Sequence, residues 1–168
     1  LLTERRINVS GIEIVQGGKT LFWSGKYHND MNQRDTLDTQ LNVINDFKPI
    51  VPEAFRDAEV LLLSNLHPSL QMEVLHQMTQ RPKLVVMDTM NYWMNHTWDL
   101  LMEVIAKSDV ITINDEEARQ LSGEYSLPKA AQKIHKMGPK YVIIKKGEHG
   151  ALLFSEGKVF AIPALPLE

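Results

Sequence analysis

Residues 110–150 read VITINDEEARQLSGEYSLPKAAQKIHKMGPKYVIIKKGEHG, and their order decides the fold. Val110-Ile111-Thr112-Ile113 is a short, largely β-branched run of the kind that forms a buried strand. Asn114 opens a short helix, and Gly123 can close it in the left-handed C-cap position. A second helix from about Ser126 carries Ala130, Ala131, Ile134 and Met137 on one face and stops at Gly138-Pro139. Tyr141 to Lys145 is the next strand. Two apolar strands joined by a helical crossover make a βα unit of a parallel sheet.

The same rhythm runs upstream. Val60-Leu61-Leu62-Leu63 reads as a strand, and Pro68 then opens a helix with Leu70, Val74 and Met78 at helical spacing. Leu84-Val85-Val86-Met87 is another strand, followed by a loop to Thr97, the expected N-cap of a helix buried through Leu101, Val104 and Ile105. Near-continuous apolar strands of this kind suit a sheet covered on both faces, so the expected fold class is a three-layer α/β/α core with a mostly parallel sheet. The ends read as antiparallel. Ala151 to Phe154 and Val159 to Ile162 flank Ser155-Glu156-Gly157-Lys158 as a hairpin, and Ile12 to Val15 with Thr20 to Trp23 flank Gln16-Gly17-Gly18-Lys19 as a second, small hairpin. The polar stretch His28 to Thr39 is expected to separate that hairpin from the core. Leu37, Leu41, Ile44 and Phe47 fit either a helix face or a strand broken by turns. The expected division is residues 1–47 as the hairpin region and its lead-in, and 48–168 as the α/β core.

Composition narrows the function. A chain of 168 residues, 43% hydrophobic, can build one domain with its own core and a small appendage. Its 18 basic and 21 acidic residues are spread without long blocks, so the net charge of −3 leaves no electrostatic footprint for nucleic acid or an anionic membrane. A small-molecule partner is expected. No apolar run approaches the roughly 18 residues of a membrane span, and Leu1-Leu2-Thr3-Glu4-Arg5-Arg6 has no signal-peptide pattern, which points to a cytoplasmic protein. The absence of cysteine removes disulfides, thiolate nucleophiles and cysteine-based zinc sites together. The chain begins at Leu1 without an initiator Met and stops at Pro166-Leu167-Glu168 with no terminating element, so both ends read as cut.

Several patterns carry possible chemistry. Gly17-Gly18-Lys19-Thr20 resembles the tail of a phosphate-binding P-loop, but Glu13 stands where that motif needs glycine and Leu21-Phe22-Trp23 where it needs a helix, so a turn is expected. Asn114-Asp115-Glu116-Glu117 lies at the carboxyl end of a parallel strand, where ligands gather in open α/β sheets. It is equally a capping box, and the two roles can coexist, since a carboxylate at a helix start can also hold hydrated Mg²⁺. Lys145-Lys146-Gly147-Glu148-His149-Gly150 turns twice with little bulk. It is either a plain glycine turn or a place where lysine and the amides of Gly147 and Gly150 meet phosphate. Asp88 can bond a sugar, assist a metal or cap its turn; Trp23 and Tyr27 can cover a ligand or serve as packing. The six histidines show no metal-binding spacing, and no Gly-x-Ser-x-Gly elbow is present.

Taken in order, Asn114-x-x-Glu117, a helix, and Val142-Ile143-Ile144-Lys145-Lys146-Gly147-Glu148-His149-Gly150-Ala151-Leu152-Leu153 resemble the ribokinase-like PfkB carbohydrate kinases. Ile7-Asn8-Val9-Ser10-Gly11 looks like the lead-in to that family's lid hairpin, and Leu63-Ser64-Asn65-Leu66 and Met87-Asp88-Thr89-Met90-Asn91 look like its successive strand ends. The resemblance implies transfer of the γ-phosphoryl of ATP to a hydroxymethyl group of a sugar or nucleoside, with Mg²⁺ and a closing lid. It places Asn114 and Glu117 in the Mg²⁺–phosphate network, Lys145, Gly147 and Gly150 at the nucleotide phosphates, and Trp23, Tyr27 and Asp88 toward the substrate. Lids in this family often form dimer contacts, so a homodimer through the hairpin is also implied. Family members usually have threonine where Lys145 stands. The family's Gly-Ala-Gly-Asp segment, which bears the catalytic base, is expected after Glu168; no catalytic residue is therefore assigned within the chain, which alone is expected to be inactive. The rival reading is a non-catalytic nucleotide- or sugar-binding module.

Overall fold

A computed structural model describes residues 2–29 and 34–165. The chain divides into two compact units, Leu1–Pro52 and Glu53–Glu168.

In the first unit, β1 (Phe22–Tyr27) pairs antiparallel with β2 (Arg34–Gln40), with a bulge between Ser24 and Gly25. The expected hairpin of Ile12–Val15 with Thr20–Trp23 does not form: residues 12–15 are not a strand, and the real hairpin lies one element further along. Gly17, at φ 72°, does make a turn, closed by the Gly18 N–H on the Val15 carbonyl at 3.1 Å, but that turn joins no strands. Phe22 and Trp23 therefore start a strand rather than finish one. Arg34 to Thr39, the second half of the stretch that reads as a polar separator, belong to this hairpin: alternating polar residues suit a ribbon exposed on both sides, and charge alone does not exclude a strand. After Gln40 the chain takes a single 3₁₀ segment, Asn42–Asp46, so of the two readings for 37–47 the strand broken by a turn is the one realised.

The second unit follows the expected βα order. β3 (Val60–Leu63), β4 (Leu84–Asp88), β5 (Val110–Asn114) and β6 (Tyr141–Lys145) lie side by side and parallel; β7 (Ala151–Ser155) and β8 (Lys158–Ile162) add an antiparallel hairpin. Its two turn residues, Glu156 and Gly157, both have positive φ (48° and 75°), the conformation whose twist matches a tight hairpin.

α1 (Pro68–Gln77) crosses from β3 to β4. Its buried residues are Pro68, Gln71 and Met72, so the face is rotated from the Leu70, Val74 and Met78 stripe. The loop expected after β4 contains a helix, α2 (Asn91–His96), before α3 (Trp98–Lys107). Thr97 does not cap α3 through its side chain: its hydroxyl donates back to the Trp93 carbonyl at 3.1 Å, four residues earlier. α4 (Asp115–Ser122) ends at Gly123 with φ 68°, and α5 (Leu127–His135) buries Ala130, Ala131 and Ile134; Met137 packs on the core just beyond the helix.

Sequential parallel strands joined by right-handed crossovers put their helices on one face. Val85, Met87, Ile111, Ile113, Val142 and Ile144 point that way and form one buried cluster with Leu101, Val104, Ile105, Leu121 and Ile134. Because side chains alternate along a strand, the opposite face carries Val60, Leu62, Val86, Ile143, Leu153 and Phe160. Leu62 there is 64% exposed and Phe160 61%. The described helices thus supply one of the two helical layers expected for the fold. Among the described residues, no helix is long and apolar enough to cross a membrane.

Candidate functional site

Four parallel strands end at one edge, and the sequence changes from apolar to polar there: Leu63 gives way to Ser64-Asn65, and β4, β5 and β6 finish on Asp88, Asn114 and Lys145. Register brings the last three together, since Asp88 stands opposite Thr112 and Asn114 opposite Lys145. The carboxyl edge of an open parallel sheet is where its ligands bind.

Gln71 holds the first two strand ends in place. Its side-chain amide donates toward the carbonyls of Leu63 (3.3 Å), Ser64 (2.9 Å) and Asp88 (3.1 Å), and the residue is buried. Asp88 accepts the Thr89 N–H at 2.9 Å on Oδ1 and faces the Lys145 ammonium at 3.7 Å. Beside them, the Trp93 indole N–H donates to Asn65 Oδ1 at 2.8 Å, which ties the segment after β3 to α2.

Asn114 and Glu117 form a complete capping box: Asn114 Oδ1 accepts the Glu117 N–H and Glu117 Oε2 accepts the Asn114 N–H, each at 2.8 Å. Glu117 is buried, so one carboxylate oxygen is fixed at the start of α4, where the helix dipole favours negative charge. Among the described residues, no three His, Asp or Glu side chains converge as a metal cage. A Mg²⁺ held largely by phosphates and water needs no such cage, so this donor set fits an ion anchored through its hydration shell.

After Lys145, Gly147 (φ 56°) starts a single 3₁₀ turn, Gly147–His149. Gly150 closes that turn. Its N–H is already bonded to the Gly147 carbonyl at 3.1 Å, and its backbone packs so closely on the β8 end that a Cβ would lie 1.9 Å from the Ile162 carbonyl oxygen. Only glycine fits there; the residue shapes the turn.

Trp23 and Tyr27 lie in the other unit, both on β1. The indole of Trp23 folds over Gly25, where a Cβ would meet its ring at 2.2 Å, and its N–H donates to Thr36 Oγ1 at 3.3 Å. Tyr27 is about half exposed and lines an open recess of about 490 Å³ with Lys26, His28, Asn29 and Asp35.

The sequence profile of pfkB family carbohydrate kinases matches residues 1–168. The chain belongs to that family. It is 29% identical over 171 residues to a cytidine kinase from Thermococcus kodakarensis, covering 96% of this chain and 58% of the relative, so it spans little more than half of that protein's length. In fold it is similar to a Burkholderia thailandensis nucleoside kinase solved in complex with inosine, with a TM-score of 0.71 at 15% identity, covering 99% of this chain and 54% of that one. It is also similar to ribokinase from Thermotoga maritima, with a TM-score of 0.65 at 21% identity over 90% and 50% of the two chains. At such identities the structures establish a ribokinase-like fold and nothing about substrate.

Gln71 and Trp93 are the site-edge residues that sequence reading missed; Asn65 and Thr89 stood in strand-end segments that it read without giving either residue a role. The available signal was a glutamine interrupting the apolar face of α1, three residues after the proline that opens the helix.

Proposed function

We propose that the protein containing this chain transfers the γ-phosphoryl of ATP to a hydroxymethyl group of a sugar or nucleoside. The observation that carries this reading is the convergence of Asp88, Asn114 and Lys145 at the carboxyl edge of three adjacent parallel strands in a chain of the pfkB family. Phosphoryl transfer depends chiefly on positioning and on stabilising charge, and these residues can do both. The Lys145 ammonium pairs with phosphate oxygens where the family usually places a hydroxyl, and the turn at Gly147 brings backbone close to them. The Asn114–Glu117 box fixes a carboxylate at the start of α4, one oxygen held by the Asn114 N–H while the Glu117 N–H is held in return by the Asn114 side chain. Mg²⁺, when bound with the nucleotide, neutralises the charge that develops on the phosphates. Asp88, held by Thr89 and Gln71, orients a hydroxyl or a hydrated cation beside them. The β1–β2 hairpin acts as a lid, with Trp23 and Tyr27 facing either substrate or a second subunit.

No Gly-Ala-Gly-Asp segment occurs in the 168 residues, so the catalytic base is assigned outside them and the isolated chain is inactive. The test is an ADP-release screen of the full-length protein against sugars and nucleosides, with the isolated chain run in parallel. Phosphorylation by the full-length protein alone is expected. Failure on every acceptor refutes the kinase reading, and robust turnover by the chain refutes the placement of the base.

A further inference from the structure

Lys145 and Asp88 end strands that are not neighbours, because β5 lies between β4 and β6. Asp88 stands opposite Thr112 and Thr112 opposite Ile143, two residues before Lys145. Alternation along the strands places all four on the sheet face away from the helices. The lysine therefore leans back across β5 to bring its ammonium within 3.7 Å of Asp88 Oδ1. Asp88 cannot meet it halfway. The same Oδ1 holds the Thr89 N–H, and the Asp88 carbonyl holds the buried Gln71 amide. The mobile partner is Lys145, on a flexible four-carbon stem.

The contact is also a weak one. At this distance it is an ion pair without a hydrogen bond, and the side chains remain 50% and 31% exposed. The non-bridging oxygens of a nucleotide polyphosphate offer the ammonium shorter, charge-assisted hydrogen bonds.

We propose that Asp88 is the positioning counter-ion that parks Lys145 over the sheet, and that nucleotide polyphosphate displaces it, leaving the Asp88 carboxylate without its cation. The inference rests on the nucleotide-binding reading above and adds a cost to it: nucleotide must break this pair in order to bind. Two effects of Asp88 on ATP then have to be separated. Its charge repels phosphate whatever residue stands at position 145, whereas its hold on the ammonium matters only when Lys145 is present. A double-mutant cycle isolates the second.

The experiment titrates metal-free ATP calorimetrically into the full-length protein, at low ionic strength, for wild type, Asp88→Asn, Lys145→Ala and the double variant. The asparagine amide oxygen can still accept the Thr89 N–H, so Asp88→Asn is expected to keep the fold, which a thermal melt checks. Asp88→Asn should tighten ATP binding, and the gain should be about threefold larger with Lys145 present than in the Lys145→Ala background. Equal gains in the two backgrounds, or weaker ATP binding by Asp88→Asn, overturn the exchange while leaving nucleotide binding standing. Absence of ATP binding by the wild type overturns both.

Discussion

Replacing Asp109 by alanine should cost about 3 kcal/mol of stability, although the residue lies at the edge of the sheet opposite the candidate site. Asp109 precedes β5 and is buried, and it connects three strands. Its N–H donates to the Val85 carbonyl at 2.8 Å, and its own carbonyl accepts the N–H groups of Lys140 (2.9 Å) and Tyr141 (3.0 Å). Alanine keeps those bonds. It removes the carboxylate, which accepts the buried Val85 N–H at 2.9 Å and the Arg81 guanidinium at 3.1 Å on both oxygens. The Val85 donor has nowhere else to turn, and a charge-assisted bond to a buried donor is worth about 1.5–3 kcal/mol. Arg81, more than half exposed, keeps its bonds to the Pro82 and Lys107 carbonyls, so its share is about 0.5 kcal/mol. A small void adds the remainder. With a slope of about 2 kcal/mol per molar, the urea midpoint should fall by about 1.5 M, followed by circular dichroism on the full-length protein. Asp109→Asn, which can still accept from Val85, should recover about half of the loss. A change below about 0.5 kcal/mol for the alanine variant would show that the carboxylate does not hold the strands together.

The same residue gives a pH dependence. Burial pushes the Asp109 carboxyl up, but the hydrogen bond from Arg81, the Val85 N–H and the charges of Arg81 and Lys140 outweigh it, so it titrates below the ordinary carboxylate range. A depressed folded value means the contribution is fully present above the unfolded pKa of about 3.9 and is lost as the pH falls through the lower folded value. Wild type should therefore lose stability below about pH 4 more steeply than Asp109→Ala.

Gly150→Ala should cost more than about 3 kcal/mol, since the new Cβ would collide with the Ile162 carbonyl and φ is 82°; a loss of soluble, folded protein in a thermal melt is the expected outcome. Glu117→Ala should destabilise α4 by about 1–2 kcal/mol, read as faster hydrogen exchange at the first-turn amides, with the β7–β8 hairpin unchanged. Gln71→Leu leaves the carbonyls of Leu63, Ser64 and Asp88 without their shared donor and should cost about 2 kcal/mol by urea unfolding. Lys145→Ala should weaken ATP binding about tenfold, and unchanged affinity would remove Lys145 from the nucleotide site.

The parallel part of the fold was legible because its strands are short apolar runs and its helix boundaries are marked by side chains that act locally. Asn114 with Glu117 and Gly123 with its left-handed φ needed only a few residues of sequence to be recognised, and both stand as read. The first unit was misread for the converse reason. Its strands, Phe22–Tyr27 and Arg34–Gln40, have no fully buried residue among those whose burial is described, so no apolar alternation marked them, while the more hydrophobic Ile12–Val15 drew a strand assignment it does not hold. Ile14 is 76% exposed. A period-2 pattern reports burial of one face, and where neither face is buried it reports nothing.

The site divides along the same line. That Asp88, Asn114 and Lys145 lie at one edge was legible because strand ends can be read from sequence, and parallel strands share an edge. What could not be read is how those ends are held relative to one another. Gln71 acts on carbonyl oxygens, which every residue carries, so nothing in Leu63, Ser64 or Asp88 announces the partner. The approach of Lys145 to Asp88 depends on their side chains sharing a face across an intervening strand, which follows from register and not from spacing along the chain. Register is also what gives the pair its meaning. Had the β5–β6 pairing slipped by one residue, Lys145 would turn toward the helices and Asp88 would lose its counter-ion. The buried row Ile111, Ile113, Val142 and Ile144 forbids that slip, because it would push these apolar side chains onto the opposite face. The hydrophobic core therefore fixes which charges meet at the site edge, and a core change that shifts β6 should alter ATP affinity without touching any residue of the site.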